Sequence, residues 1–295
     1  MQLQADLFTL LARPRAFFIW KLVDLHIEKP LRIPVKTGTM TKLTFLGTGT
    51  SQGVPVISCG CWVCTSSDQR DKRLRSSVLI EHNGTHIVID AGPDFRQQML
   101  SQNVKHIDGI LLTHEHKDHI GGLDDIRAFN YTQKAPVDIY ATEQVQRAIK
   151  KEYDYAFGEN KYPGAPDFNL ITITGNKPFM VGNTEVIPIQ GMHYKLPVLG
   201  FRIGNIAYLT DFNKIEPEEI EKIKGVEVLV VNALRREHHL SHFTLSEALH
   251  LRYLVQPKYT YLTHISHQMG RFKQIEQELP ENTHFAVDGL VVECL

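Results

Sequence analysis

The segment Thr113-His114-Glu115-His116-Lys117-Asp118-His119 packs three imidazoles and a carboxylate into six positions. It follows the apolar run Gly109-Ile110-Leu111-Leu112 and precedes Ile120-Gly121-Gly122. In extended chain, residues two apart face the same way, so His114 and His116 share a side. A helix starting near Asp118 turns that residue and His119 back toward the same point, and the glycine pair permits close backbone approach. Such donors suit a borderline divalent cation such as zinc, manganese or iron. A second group, Cys59-Gly60-Cys61-Trp62-Val63-Cys64, offers three thiols in six positions. Thiols so close read as metal ligands rather than as a disulfide framework. A closed tetrahedral zinc needs one donor more. The fourth cysteine, Cys294, lies apart and reads as a small apolar residue.

The elements that must position these groups are short. Apolar runs bounded by turn residues predict strands at 42–46, 76–82, 85–90, 109–113, 137–140, 185–189, 198–203, 206–210, 226–231, 259–263, 284–287 and 289–293. Asn83-Gly84 and Gly204-Asn205 are hairpin signals between neighbouring runs. Helical patterns fit 94–102, 120–130, 142–152, 216–223, 244–255 and 270–278. Strand clusters followed by helices, in two halves, predict an α/β protein with two sheets covered by helices. Residues 1–39 carry three prolines and no pattern that joins this core. They read as an N-terminal extension, or as upstream sequence, outside a domain at 40–295. A membrane-surface helix built on Phe17, Phe18 and Trp20 is the weaker reading, because the stretch is short and bounded by proline.

His-x-His-x-Asp-His after an apolar strand resembles the metallo-β-lactamase superfamily. That resemblance implies a four-layer αββα sandwich with two mixed sheets and metals at the edge between them. It covers about residues 42–293. It also implies three further ligands at later strand ends. His193 in Gly191-Met192-His193, Asp211 in Tyr208-Leu209-Thr210-Asp211 and His264 in Tyr261-Leu262-Thr263-His264 match them in order. By this carry-over His114, His116 and His193 hold one divalent ion, Asp118, His119 and His264 hold another, and Asp211 bridges both. Such a pair lowers the pKa of a shared water, so that a bridging hydroxide exists near neutral pH, and it neutralises charge on the attacked group. His267, three residues after His264, is the natural fourth donor to Cys59, Cys61 and Cys64. A site closed by four protein ligands leaves no position for water, so a structural zinc there would pin the 51–75 loop.

Within the superfamily, Cys-x-Cys-x-x-Cys early and His-x-x-His late resemble the phosphodiesterases of the carbon–phosphorus lyase pathway. Phe45-Leu46-Gly47-Thr48-Gly49-Thr50-Ser51 and Arg75-Ser76-Ser77 are similar to the same group. This resemblance implies hydrolysis of small cyclic phosphodiesters, either phosphoribosyl 1,2-cyclic phosphate or 2′,3′-cyclic nucleotides. It implies two active-site ions, manganese or zinc with iron as a third choice. Related enzymes are often homodimers. His242, in Leu240-Ser241-His242-Phe243-Thr244, matches the histidine that superfamily phosphodiesterases carry at the start of a helix, and is expected to act as general acid alongside Asp118 at the reacting centre. Arg235, Arg236, His238 and His239 crowd the same segment and are candidates for phosphate contact. The alternatives are a tRNA 3′-end nuclease, another hydrolase of the fold such as a thioester hydrolase, and a binding member without activity. The nuclease would want a long basic or glycine-rich arm, and the interval 152–170 holds one base, Lys161.

Composition agrees with a small substrate. The 295 residues carry 32 Lys plus Arg against 33 Asp plus Glu, so the whole chain has no grip on a long polyanion. The longest apolar stretch near the N-terminus, Ala16-Phe17-Phe18-Ile19-Trp20, falls far short of the ~20 residues that span a bilayer. Arg13, Pro14 and Arg15 interrupt the candidate core of a signal peptide, which predicts a cytoplasmic protein.

Overall fold

The computed structural model of the chain describes residues 40–158 and 161–295. The extension at 1–39 lies outside the described residues. In chain order the elements are β1 (Thr41–Gly47), β2 (Ser77–His82), β3 (Thr85–Ile89), α1 (Phe95–Ser101), β4 (Gly109–Leu111), α2 (Lys117–Ile120), α3 (Arg127–Gln133), β5 (Val137–Ala141), α4 (Glu143–Glu152), β6 (Phe168–Thr172), β7 (Phe179–Val181), β8 (Thr184–His193), β9 (Leu196–Ile203), β10 (Ile206–Leu209), α5 (Pro217–Ile223), β11 (Val228–Asn232), α6 (Leu245–Val255), β12 (Tyr259–Thr263), α7 (Phe272–Glu276), β13 (Thr283–Phe285) and β14 (Val291–Cys294).

The strands form two seven-stranded sheets, ordered β14-β1-β2-β3-β4-β5-β6 and β13-β12-β11-β10-β9-β8-β7. Both are mixed. In the first, β14, β1, β2 and β3 run antiparallel, and β3 to β6 run parallel. In the second, β7 to β10 run antiparallel, and β10 to β13 run parallel.

Alternation along the strands explains the layering. Val78, Ile80, Ile87 and Ile89 of the first sheet meet Phe201, Ile203, Val228 and Val230 of the second in one core between the sheets. Their neighbours face outward: Leu79 and Val88 pack with Phe95, Phe129 and Ile149 under α1, α3 and α4. Leu229 and Val231 pack with Ile223, Leu251 and Ile275 under α5, α6 and α7. Strands buried on both faces must be apolar at successive positions, which is why Val228-Leu229-Val230-Val231 reads as an unbroken run. The expected αββα sandwich is the fold observed.

Two details differ from expectation. The edge strands β6 and β7 escape the pattern, because β6 is at most half buried and β7 is three residues long. The helix expected at 120–130 is broken into α2, a 3-10 turn at Leu123–Ile126, and α3. The break follows from Gly122, where a Cβ would lie 2.0 Å from the Gly92 carbonyl oxygen; a Cβ on Gly92 would lie 1.9 Å from that of Asp118. Only glycine lets these two loops close on each other. The Asn83-Gly84 turn has positive φ at both residues, as a type I′ hairpin requires. Among the described residues no helix is long and apolar enough to cross a membrane.

Candidate metal centre

Strand direction gathers the donors. β8, β10 and β12 run the same way, so His193, Asp211 and His264 arrive at one edge of the second sheet. The loop after β4 and the start of α2 bring His114, His116, Asp118 and His119 from the first sheet to that edge. Asp211 and His264 both take left-handed backbone, with φ of 63° and 55°. Strained geometry of this kind at strand ends marks positions fixed for function.

The seven side chains fall into two sets. His114, His116 and His193 form one, and Asp118, His119, Asp211 and His264 the other; within each, the donor atoms lie within 4.8 Å of one another. His119 Nε2 is 3.1 Å from Asp118 Oδ2 and 3.2 Å from Asp211 Oδ2, and His264 Nδ1 is 3.2 Å from Asp211 Oδ2. Asp211 and His193 also group with His242, so Asp211 lies between the two sets. His116 is exposed and opens the cluster to solvent, while His114, His119, Asp211 and His264 are buried.

The donor chemistry fits divalent cations. His114 Nε2 is buried without a hydrogen-bond partner, so its lone pair faces the cluster. Burial pushes His114 well below the ordinary histidine range, helped by His119, and pushes His264 down to about 3. Both are therefore neutral and able to ligate. Burial alone would raise the Asp211 carboxyl, but His264 and His119 carry it well below the carboxylate range. Burial would lower His119, yet Asp118, Asp211 and Asp90 carry it well above its ordinary value. Buried imidazoles and carboxylates in such contact are the makings of a metal shell.

A residue missed in the sequence supports this shell. Asp90, fully buried at the end of β3, accepts from His119 Nδ1 at 2.6 Å and from the Thr113 backbone N–H at 2.9 Å. That contact fixes which His119 nitrogen keeps its lone pair. Asp90 carried a signal: it ends the buried run Ile87–Ile89, as Asp211 ends the run of β10. Asp90→Ala is expected to weaken metal binding by ~10- to 100-fold. Competition with a chelator checks this, and wild-type affinity would refute the role.

His242 is 9% exposed and donates from Nε2 to Asp211 Oδ1 at 3.0 Å. Its approach is rigid. Phe243 N–H donates to the Phe212 carbonyl at 2.7 Å, and Thr244 opens α6 with a capping box completed by Glu247. His193 Nδ1 meets the Ser241 carbonyl at 2.7 Å. The four residues expected at phosphate have these surroundings. His239 Nδ1 lies 3.1 Å from His242 Nδ1, behind it. Arg235 is committed to the carbonyls of Glu237 and His238 and to Gln268, and Arg236 pairs with Glu278. These contacts tie Arg235 and Arg236 to the loop at Gln268 and to Glu278 near the surface. His238 is exposed.

Cys59, Cys61, Cys64 and His267 also converge. Each sulfur lies 3.3 or 3.4 Å from His267 Nδ1. The Cys64 backbone N–H, donating to Cys61 Sγ, lowers the Cys61 thiol to about 6, which favours the ligating thiolate. The short loop from His264 to His267 thus serves both clusters.

The chain belongs to the β-lactamase superfamily: the Beta-lactamase superfamily domain matches residues 85–265. A divalent metal requirement comes with that fold. A solved structure described as a new diphosphatase from the PhnP family is 38% identical, with a TM-score of 0.80, covering 86% of this chain and 97% of that one. The Zn(2+)-bound PqqB of Methylobacterium extorquens shares the fold at 17% identity, with a TM-score of 0.69, over 85% of this chain and 99% of that one. An octanoyltransferase of Porphyromonas gingivalis is 42% identical over 247 residues, 83% of this chain and 50% of that protein. The chain thus spans about half the length of that curated relative.

Proposed function

We propose that this chain is a dinuclear metal-dependent phosphodiesterase that opens small cyclic phosphodiesters, either phosphoribosyl 1,2-cyclic phosphate or 2′,3′-cyclic nucleotides. The observation that carries this reading is His242, a proton donor 3.0 Å from Asp211, set beside two groups of donors suited to two cations. A metal shell alone fits many hydrolases. A metal shell with a proton donor at its rim fits a reaction whose leaving group is a poor alkoxide. The 38% identity to a protein described as a PhnP-family diphosphatase supports phosphoester chemistry.

His114, His116 and His193 would hold one ion, Asp118, His119 and His264 the other, with Asp211 shared; Cys59, Cys61, Cys64 and His267 would hold a structural zinc. Manganese, zinc or iron at the shared site would supply Lewis acidity and an acidified water near neutral pH. The protein's own part is positioning and proton transfer. Water gives up a proton to solvent and adds to phosphorus in line with the departing ring oxygen, that P–O bond breaks, and His242 gives the oxygen a proton and recovers one from solvent. Asp118 acts by fixing His119 and the second set of donors at the reacting centre. The balanced charge of the chain favours a small substrate over a long polyanion.

Octanoyl transfer, named for the longer relative, finds less support. An eight-carbon chain needs an apolar channel beside the reacting centre. The apolar groove of about 390 Å³ between α1 and α3 is lined by Phe95, Met99, Leu100 and Phe129 and by none of the metal-site donors.

Chelation followed by assay on bis(p-nitrophenyl) phosphate and on a cyclic phosphodiester tests the proposal. Activity should vanish with the metal and return when manganese or zinc is restored. A fully metal-loaded protein inert on both would end it.

A further inference from the structure

The hairpin joining β8 to β9 has a two-residue turn. His193 pairs with Leu196, which leaves Tyr194 and Lys195 between them. Of these two only Tyr194 has positive φ, at 59°. That is the place where such turns ordinarily demand glycine, and a bulky side chain there is strained. Strain at a residue adjoining a metal-site donor invites a functional reason.

The surroundings hold the strained turn in place. Asn213, two residues after Asp211, accepts from the Tyr194 N–H at 2.8 Å and donates from Nδ2 to the Leu240 carbonyl at 2.9 Å. Its own N–H donates to the Met192 carbonyl at 2.8 Å. One side chain thus locks together the loops that carry His193, Asp211 and His242. Tyr194 and Leu240, on either side of this lock, are 47% and 59% exposed. The rings of His193 and His242, from these same two loops, meet at 4.5 Å. The Lys195 ammonium lies 5.2 Å from the Tyr194 ring. An aromatic side chain, an aliphatic side chain and a cation therefore stand exposed on the two loops that carry His193 and His242. Aromatic platforms of this kind take flat heteroaromatic rings by stacking.

We propose that Tyr194 and Leu240 clamp a planar heteroaromatic group, of nucleobase type, carried by the phosphodiester whose phosphorus reacts at the metal centre. The proposal rests on the phosphodiesterase reading and adds a preference to it. It also explains why tyrosine stands where the turn favours glycine.

The test compares adenosine 2′,3′-cyclic phosphate with the base-free cyclic phosphate of ethylene glycol, in wild type, Tyr194→Gly and Tyr194→Phe. Glycine suits the turn, so the fold is kept. The ratio of kcat/KM for the base-bearing over the base-free diester should fall ~10- to 100-fold in Tyr194→Gly, mainly through KM, and should persist in Tyr194→Phe. Absence of a preference in wild type, or its survival in Tyr194→Gly, overturns the clamp while leaving the hydrolase intact. So does an equal loss on both diesters; if sedimentation then shows a dimer becoming a monomer, the exposed patch is a contact between copies. If no diester is turned over, the phosphodiesterase reading falls separately. Binding of adenosine 3′-monophosphate against inorganic phosphate then decides the clamp: no advantage for the nucleotide in wild type, or one that survives Tyr194→Gly, overturns it.

Discussion

Asp211→Ala should lose turnover of a cyclic phosphodiester by ~1000-fold or more, a change of about 4 kcal/mol in the barrier, together with metal from the paired site. Oδ2 of Asp211 lies 3.2 Å from both His119 Nε2 and His264 Nδ1, and Oδ1 takes the His242 hydrogen bond at 3.0 Å. No neighbour can replace a carboxylate placed between both donor sets. Alanine removes its negative charge from among four buried or nearly buried histidines, and so removes the electrostatic reason for cations to settle there. Elemental analysis with steady-state kinetics checks the outcome, and circular dichroism confirms that the sandwich survives. Wild-type metal content with wild-type turnover would refute the placement of Asp211 at the heart of the site.

The second large effect separates proton transfer from metal binding. His242→Ala should slow hydrolysis of an alkyl diester by ~100-fold or more while leaving metal content unchanged. The seven other donors remain, and the capped start of α6 keeps the segment folded without the imidazole. The loss should shrink as the leaving group improves, because a p-nitrophenolate departs without a proton. A loss of equal size on alkyl and p-nitrophenyl esters would make His242 a binding residue instead of an acid.

Much of this was legible in the chain itself. Val78–Ile80 and Val228–Val231 are apolar on both faces because both sheets are covered on both sides, so two helix-covered sheets could be read directly. The segment at 114–119 stood out because four donors crowd six positions. His193, Asp211 and His264 did not stand out individually; a polar residue at a strand end is ordinary. Only the resemblance put them in one set, and strand direction then brings them to one edge. Asp90 went unseen for the same reason, since its partner His119 lies 29 positions away and only the parallel pairing of β3 with β4 joins them. The partners of Arg235 and Arg236 were not legible, because charge in sequence says nothing about where a long side chain spends its hydrogen bonds. Tyr194 was invisible, because φ has no signature in a residue that normally avoids the left-handed region.

The seven donors come from opposite halves of the sandwich: four from the loop and helix after β4, and three from the ends of β8, β10 and β12. Ions held between them would act as rivets across the seam that joins the halves. Sliding one half against the other must then tear coordination bonds as well as expose the apolar filling. Metal supply in the surrounding medium would then set mechanical cohesion as well, and starvation for the ion would loosen the molecule along that seam.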